Sequence, residues 1–386
     1  MKIVHRSIQL TMLRLSITNI VRTYRVFAFL ALSVIITSFN TDVIALSPSS
    51  TLLSSKNDMM KQFKRVALVT GANKGIGKEI ARKLAADKDT FCILGCRNET
   101  LGLAVVNELL QEQEQTKEGE GDEGIYSCDN VAYIRIDLND PSTFESAVSY
   151  LEQNFNGNLD ILINNAAVCF NDPTIYGQVP YTPFEQQADI TIHTNFFGTL
   201  GLTKAMIPLL LKNKNKQQPG QDEEEATTSP RYIPRIINIA SSAGRLSILP
   251  SIQRQKEFSS PLLQMEELEG YMKNFVKDVQ DGTHVEKGWP NTGYGISKVG
   301  IIAMTKILAR DYNKGKEEGG DSPSSSAIMV NSVDPGYCKT DQNNCQGFVP
   351  PERGAMTPFL LATLPDDEDE QFLSGIHWYE EQAIKW

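Results

Sequence analysis

Cysteine is scarce in this 386-residue chain, six in all, and no two are spaced as Cys-x-x-Cys. A disulfide scaffold is excluded at this length, and structural zinc has no ligand spacing to use, so no metal centre is expected. Cys92 and Cys96 belong to an apolar stretch around Phe91 to Gly95, and Cys128, Cys169, Cys338 and Cys345 are scattered. Free thiols point to a reducing, intracellular compartment. Long apolar runs are missing too: none reaches the about 20 residues of a standard membrane-spanning helix, which excludes a multi-span membrane protein. Positive charge is in deficit. Against 47 Asp and Glu there are 37 Lys and Arg, a net −10, the wrong sign for a general nucleic-acid binder.

What is present suits a folded body. Hydrophobic residues make up 41% of the chain and 27 residues are glycine, an ordinary globular share that excludes global disorder. The length allows two or three domains, or one large α/β domain with additions. Charge is unevenly spread. Residues 1–41 hold Lys2, Arg6, Arg14, Arg22 and Arg25 and no acid. A 14-residue apolar run, Val26 to Phe39, follows, then polar Asn40, Thr41 and Asp42 and a Ser/Pro patch near Ser47 to Ser50. Basic, then apolar, then polar is the order of a targeting segment, with membrane anchoring through residues 26–39 as the competing reading. A start at Met59 or Met60 is the bland alternative. The expected division is therefore residues 1–60 as leader and 61–386 as folded domain.

From about Arg65 short apolar runs alternate with helical patterns. The expected strands are Arg65–Thr70, Phe91–Gly95, Val131–Ile136, Ile161–Ile163, Arg235–Ile239 and Ala327–Val333, near-continuous in Val, Ile and Leu as strands buried on both faces should be. Ile76, Ile80 and Leu84 recur at helical spacing after the first. Strand–helix alternation predicts an α/β fold, a Rossmann-type doubly wound parallel sheet with helices on both faces. Three polar stretches, Gln111–Gly124, Asn213–Arg231 and Lys314–Ser326, read as surface loops or disordered insertions, and Asp366–Glu370 as a solvated face.

Thr70-Gly-Ala-Asn-Lys-Gly-Ile-Gly77 follows the first strand and opens a helix. A pyrophosphate approaches backbone N–H groups at a helix N-terminus, and a Cβ at Gly71, Gly75 or Gly77 would obstruct it. About twenty residues on, where an NAD site places an acid, the second strand ends Leu94-Gly-Cys-Arg97. Arg97 and Lys74 are two cations suited to a 2′-phosphate, so the expected cofactor is NADP(H).

Tyr294-Gly-Ile-Ser-Lys298 puts a phenol and an ammonium on one helical face. The ammonium is expected to lower the phenol's pKa and make Tyr294 a general acid toward a carbonyl oxygen. Tyr312-Asn-Lys-Gly-Lys316 repeats the spacing beside a polar insertion and reads as surface. Arg235-Ile-Ile-Asn-Ile-Ala-Ser-Ser242 is a strand ending in hydroxyls, one of which can stabilise oxyanion charge in the crevice beyond the sheet.

These motifs together resemble the short-chain dehydrogenase/reductase superfamily. The resemblance covers about Arg65 to Trp386 and carries further roles with it. The family's catalytic serine falls three after the strand's Asn, giving Ser241 from Asn238, with Ser242 as the register alternative. Its Asn-Asn-Ala-Gly is matched by Asn164-Asn-Ala-Ala167, where Ala replaces Gly, and Asn165 is placed at the cofactor. Asp137-Leu138 would hold the adenine. Asn73 and Ile76 would join the glycine turn at the cofactor. Asn195, in Thr194-Asn-Phe-Phe-Gly-Thr199, would hold a water near the lysine. Pro335-Gly-Tyr-Cys-Lys-Thr340 would place Pro335, Gly336 and Thr340 at the nicotinamide, and Lys298 would bind its ribose.

Thr182-Pro-Phe-Glu-Gln-Gln-Ala, Tyr271-Met-Lys-Asn-Phe-Val-Lys-Asp, Gly288-Trp-Pro and Trp386 look most similar to the NADPH-dependent carbonyl reductases. There the long insertion, 52 residues here between Ser241 and Tyr294, covers a surface others use to dimerise, so a monomer is implied. The expected reaction is reduction of a small-molecule aldehyde, ketone or quinone. The alternatives are an NADP-binding regulatory protein without turnover and an NADP-dependent alcohol dehydrogenase.

Overall fold

The computed structural model describes residues 63–117, 130–170, 181–212, 233–313, 328–365 and 373–386. The leader with its 26–39 run, Cys128, Asn213–Arg231, Lys314–Ser326 and Asp366–Glu370 lie outside the described residues.

In chain order the elements are β1 (Arg65–Thr70), α1 (Gly75–Ala85), β2 (Thr90–Cys96), α2 (Glu99–Lys117), β3 (Val131–Arg135), α3 (Ser142–Phe155) and β4 (Ile161–Asn164). Then come α4 (Phe184–Ile192), a π-helical turn (His193–Gly198), α5 (Thr199–Lys212) and β5 (Arg235–Ile239). The second half holds α6 (Ile252–Ser259), α7 (Met265–Gln280), α8 (Gly293–Asp311), β6 (Met329–Asp334), α9 (Pro351–Gly354), α10 (Met356–Thr363), β7 (His377–Tyr379) and β8 (Gln382–Ile384). One sheet runs β3-β2-β1-β4-β5-β6-β7-β8. All neighbours are parallel except β7 and β8, which form an antiparallel hairpin at the edge.

Side-chain alternation along the strands explains why helices cover both faces. Leu68, Phe91, Ile93, Leu162 and Ile236 pack with α3, α5, α7 and α8 in one core. Val69, Cys92, Leu94, Ile163 and Ile237 pack with α1, α2 and α10 in the other. Each strand is buried twice, which is why its sequence reads as an unbroken apolar run. The strand order reverses between β1 and β4, the switch point at which such sheets open a ligand crevice.

Two expectations need correction, and one hairpin was not expected. Residues 111–117 are the last turns of α2, not loop. Arg82 pairs with Glu112, and Gln113 donates to the Ala85 carbonyl and to Asn130. These contacts hold a helix of good formers that has no apolar stripe there. The last expected strand is shifted to Met329–Asp334, so Asp334 belongs to the sheet. β7 and β8, three residues each, carry no periodic signal and went unpredicted.

The insertion after β5 has a small core of its own. Trp289 is buried against Phe258 and Phe275 and donates its indole N–H to Asp278 at 2.9 Å, while the Arg254 guanidinium lies 3.9 Å over its ring. Lys287 pairs with the same carboxylate at 2.6 Å.

Candidate active site

The carboxyl ends of β1 through β6 gather nearly every residue singled out from the sequence. At β1, Thr70 Oγ1 donates to the Ile163 carbonyl and accepts from the Asn165 and Ala166 N–H groups. The Asn165 amide donates back to the Thr70 carbonyl at 2.9 Å. This knot joins the glycine turn to β4 across the switch point. Gly71 (φ +66°) and Gly75 (φ +56°) hold left-handed conformations that favour glycine. Gly77 has a packing reason to be small as well. A Cβ there would lie 2.4 Å from the Asn165 amide nitrogen and 2.5 Å from the Gly71 carbonyl, so the turn packs against itself.

Helix α1 begins with no side-chain cap and no acid in its first turn, leaving its N–H groups suited to an anion. Asn73 and Ile76 are half-buried in the turn, and Lys74 is exposed. Arg97 is exposed just past β2. Asp137 accepts from the Asn139 N–H, and Leu138 is buried against Gly198. Lys74 pairs with Asp341 at 3.1 Å, in the turn that follows Thr340. Thr340 itself lies against Gly75. Ala167 keeps a negative φ, so Ala is no strain there.

The reducing half centres on α8. Tyr294 is half-buried, and its phenol oxygen faces the Ser241 side chain and accepts from Gln342 Nε2 at 3.4 Å. Ser241 therefore reaches the phenol, while Ser242 is exposed. Lys298 is buried, 5.5 Å from the Tyr294 ring, and donates to the Ile239 carbonyl at 2.7 Å. The expected fall of the phenol's pKa is reversed. Burial pushes it above its ordinary range, and the Gln342 hydrogen bond and the nearby Ser241 oppose this only in part. Burial also pulls Lys298 down to about 8.

Asn195 sits on the π-helical turn, a distortion often found at functional sites. Its amide accepts from Val168 N–H at 2.8 Å and donates to the Val168 carbonyl and to Ser297 Oγ. It clamps the segment after β4 to α8. Pro335 and Gly336 (φ +80°) follow β6, and the Gly336 N–H donates to Asp334 at 3.0 Å.

Sequence reading gave no role to Thr70, Ser297, Gln342 or Asp334. Thr70 stands at the head of the glycine motif, and Asp334 left a signal as a carboxylate at a strand end beside the Pro-Gly turn. Among the described residues, no group of three or more His, Cys, Asp or Glu is placed to hold a metal.

Comparison with known proteins adds names to this geometry. The short chain dehydrogenase family profile matches residues 65–221. The chain is 33% identical over 313 residues to carbonyl reductase (NADPH) 1 of Mus musculus, covering 80% of this chain and 95% of that protein. Among solved structures, salutaridine reductase from Papaver somniferum matches with TM-score 0.62 and 25% identity over 81% of this chain and 99% of that one. Menthone neomenthol reductase from Mentha piperita matches with TM-score 0.59 and 28% identity over 83% and 99%.

Proposed function

The chain belongs to the short-chain dehydrogenase/reductase family, close to the carbonyl reductases, and from that premise we propose that it reduces an aldehyde, ketone or quinone to the alcohol or hydroquinone. It is an NADPH-dependent oxidoreductase acting on carbonyl or hydroxyl groups. The residues present fit that cofactor: an uncapped α1 N-terminus without acids for the phosphates, and Lys74 and Arg97 for the 2′-phosphate. Asp137 and Leu138 would bound the adenine, and Asn165, Pro335, Gly336 and Thr340 the nicotinamide side. NADPH, when bound, supplies the hydride.

The chain's own groups manage the oxygen. Ser241 and Tyr294 face one another, so a carbonyl oxygen seated between them meets two O–H donors. Burial keeps the phenol protonated, and it can yield its proton to an alkoxide, a stronger base than phenolate. Lys298 brings positive charge beneath it. Asn195 fixes the floor on which the proton relay runs, through Val168 and Ser297. In this reading the enzyme works as a monomer, with residues 61–386 as catalytic domain and residues 1–60 as a targeting or anchoring segment.

The observation that carries the proposal is the Ser241–Tyr294 pair above Lys298. Its test is NADPH oxidation by the purified protein with quinones, aromatic aldehydes and ketones, beside an NADH comparison and Tyr294→Phe. We expect turnover that prefers NADPH and falls about 10²- to 10⁴-fold in the variant. NADPH binding with no turnover on any substrate would favour a regulatory role instead.

A further inference from the structure

Asp334 is a buried carboxylate in the middle of this site, 4% exposed, and the reaction outlined above gives it no part. Its place follows from the sheet. Val333 pairs with Ile239 across β5 and β6, and the Ala240 N–H donates to the Val333 carbonyl at 2.7 Å. Val333 faces the α1 side, so Asp334, one residue on, faces α8. The Ile239 carbonyl, one strand over, is the group that holds the Lys298 ammonium at 2.7 Å. The Asp334 carboxylate accepts the Gly336 N–H at 3.0 Å, in the turn expected at the nicotinamide, and the backbone of Ser242, next to Ser241, faces it from the turn after β5.

We infer that Asp334 is a positioning residue of this site: its carboxylate holds the Pro335–Gly336 turn beside the turn carrying Ser241 and supplies the counter-charge to Lys298. The inference rests on the reductase reading of the same site. Its surroundings are charged on several sides. Arg245, from the turn after β5, and Lys298, from α8, are the cations that favour its ionised form. Tyr294, Cys338 and Tyr379 feel its charge as acids held protonated. Arg353 and Glu380 line the small recess beside it, and Arg353 is already engaged by Glu381. Cys169 is the other acidic group facing Lys298 and Tyr294.

Burial raises the Asp334 carboxyl above its ordinary 3.8 despite both cations. A group raised on folding contributes stability at low pH and loses it as pH climbs through the folded value.

Asp334→Asn separates the two roles, because the amide oxygen can still accept from Gly336 while the charge is gone. Removing the charge lowers both the Lys298 and the Tyr294 pKa, since Asp334 raises each. The basic limb of the pH profile of kcat/KM is expected to move down by about half a unit or more, with Tm at pH 7.5 unchanged or higher. Asp334→Ala, which also loses the Gly336 contact, is expected to lower kcat at the pH optimum at least tenfold further.

Trace acetylation of Lys298 with acetic anhydride, followed against pH by mass spectrometry, reads the lysine's pKa without turnover. It should show the same downward shift in Asp334→Asn. A wild-type enzyme that turns over, with a basic limb and a labelling curve unmoved in Asp334→Asn, would overturn the inference. So would a fall in Tm and in NADPH affinity with the profile in place, which marks a merely structural carboxylate. A wild-type protein without turnover whose Lys298 labelling still shifts would sink the reductase reading and leave the Asp334–Lys298 pairing standing.

Discussion

Lys298 is where burial and chemistry pull in opposite directions. Its ordinary pKa of 10.5 is lowered to about 8, first by burial, with Cys169 and Asp334 opposing. Reduction calls for the ammonium, so activity is expected to decline as pH rises through about 8, read as the basic limb of kcat/KM. Stability runs the other way. Between about 8 and 10.5 the unfolded chain binds more protons than the folded one, so stability increases with pH in that window. A thermal scan beside the rate profile at pH 7.5 and 9.5 checks both signs. If activity and Tm fall together, this account of Lys298 is wrong. Which serine touches Tyr294 is also a residue-scale matter. The count from Asn238 gives Ser241, and the backbone turns sharply after it, with Ser241 Oγ accepting from the Ala243 N–H at 3.2 Å.

Among the elements, the glycine turn is the least tolerant. Gly77→Ala puts a methyl against the Gly71 carbonyl and the Asn165 amide at under 3 Å, and one of those contacts is backbone. The knot of Thr70 and Asn165 must open to make room. We expect a loss of NADPH affinity of tenfold or more with a smaller change in Tm, measured by NADPH fluorescence titration. Equal affinities would show that the turn has slack. This motif was legible in the sequence because its glycines, strand and helix are contiguous. So were the strands buried on both faces, whose apolar runs need no partner to be recognised. The end of α2 was not legible, since residues 111–117 are held by Arg82, Ala85 and Asn130 rather than by an apolar stripe. Nor was the role of Asp334, whose charge matters only because Lys298 and Ser242 arrive from elsewhere in the chain.

At the scale of the whole molecule, the β7–β8 hairpin ties the sheet's far edge to the site. His377, on β7, is 2% exposed and shares a hydrogen bond of 2.9 Å with Ser332 on β6. Burial lowers its pKa to about 4, and the nearby Lys306 and Arg245 lower it further. Unfolding lets it charge at its ordinary 6.5, so it withdraws stability as pH falls from about 6.5 toward 4. His377→Gln is expected to flatten the dependence of Tm on pH across that range. An unchanged slope would place the acid sensitivity elsewhere. The hairpin's contribution was invisible beforehand, because strands of three residues are defined by what they pair with.

Beyond the hairpin, the Trp386 indole donates to the Gly244 carbonyl at 2.7 Å, 142 residues back along the chain. Gly244 in turn packs so tightly on the Lys298 backbone that a Cβ would lie 2.8 Å from it. The pin on the serine turn is thus made after every residue it serves. During synthesis the nucleotide half, β1 to β4, emerges first, while the turn bearing Ser241 waits for the final strand and its tryptophan. A ribosome stalled short of residue 386 would release a chain equipped to hold a dinucleotide before its reducing half is locked.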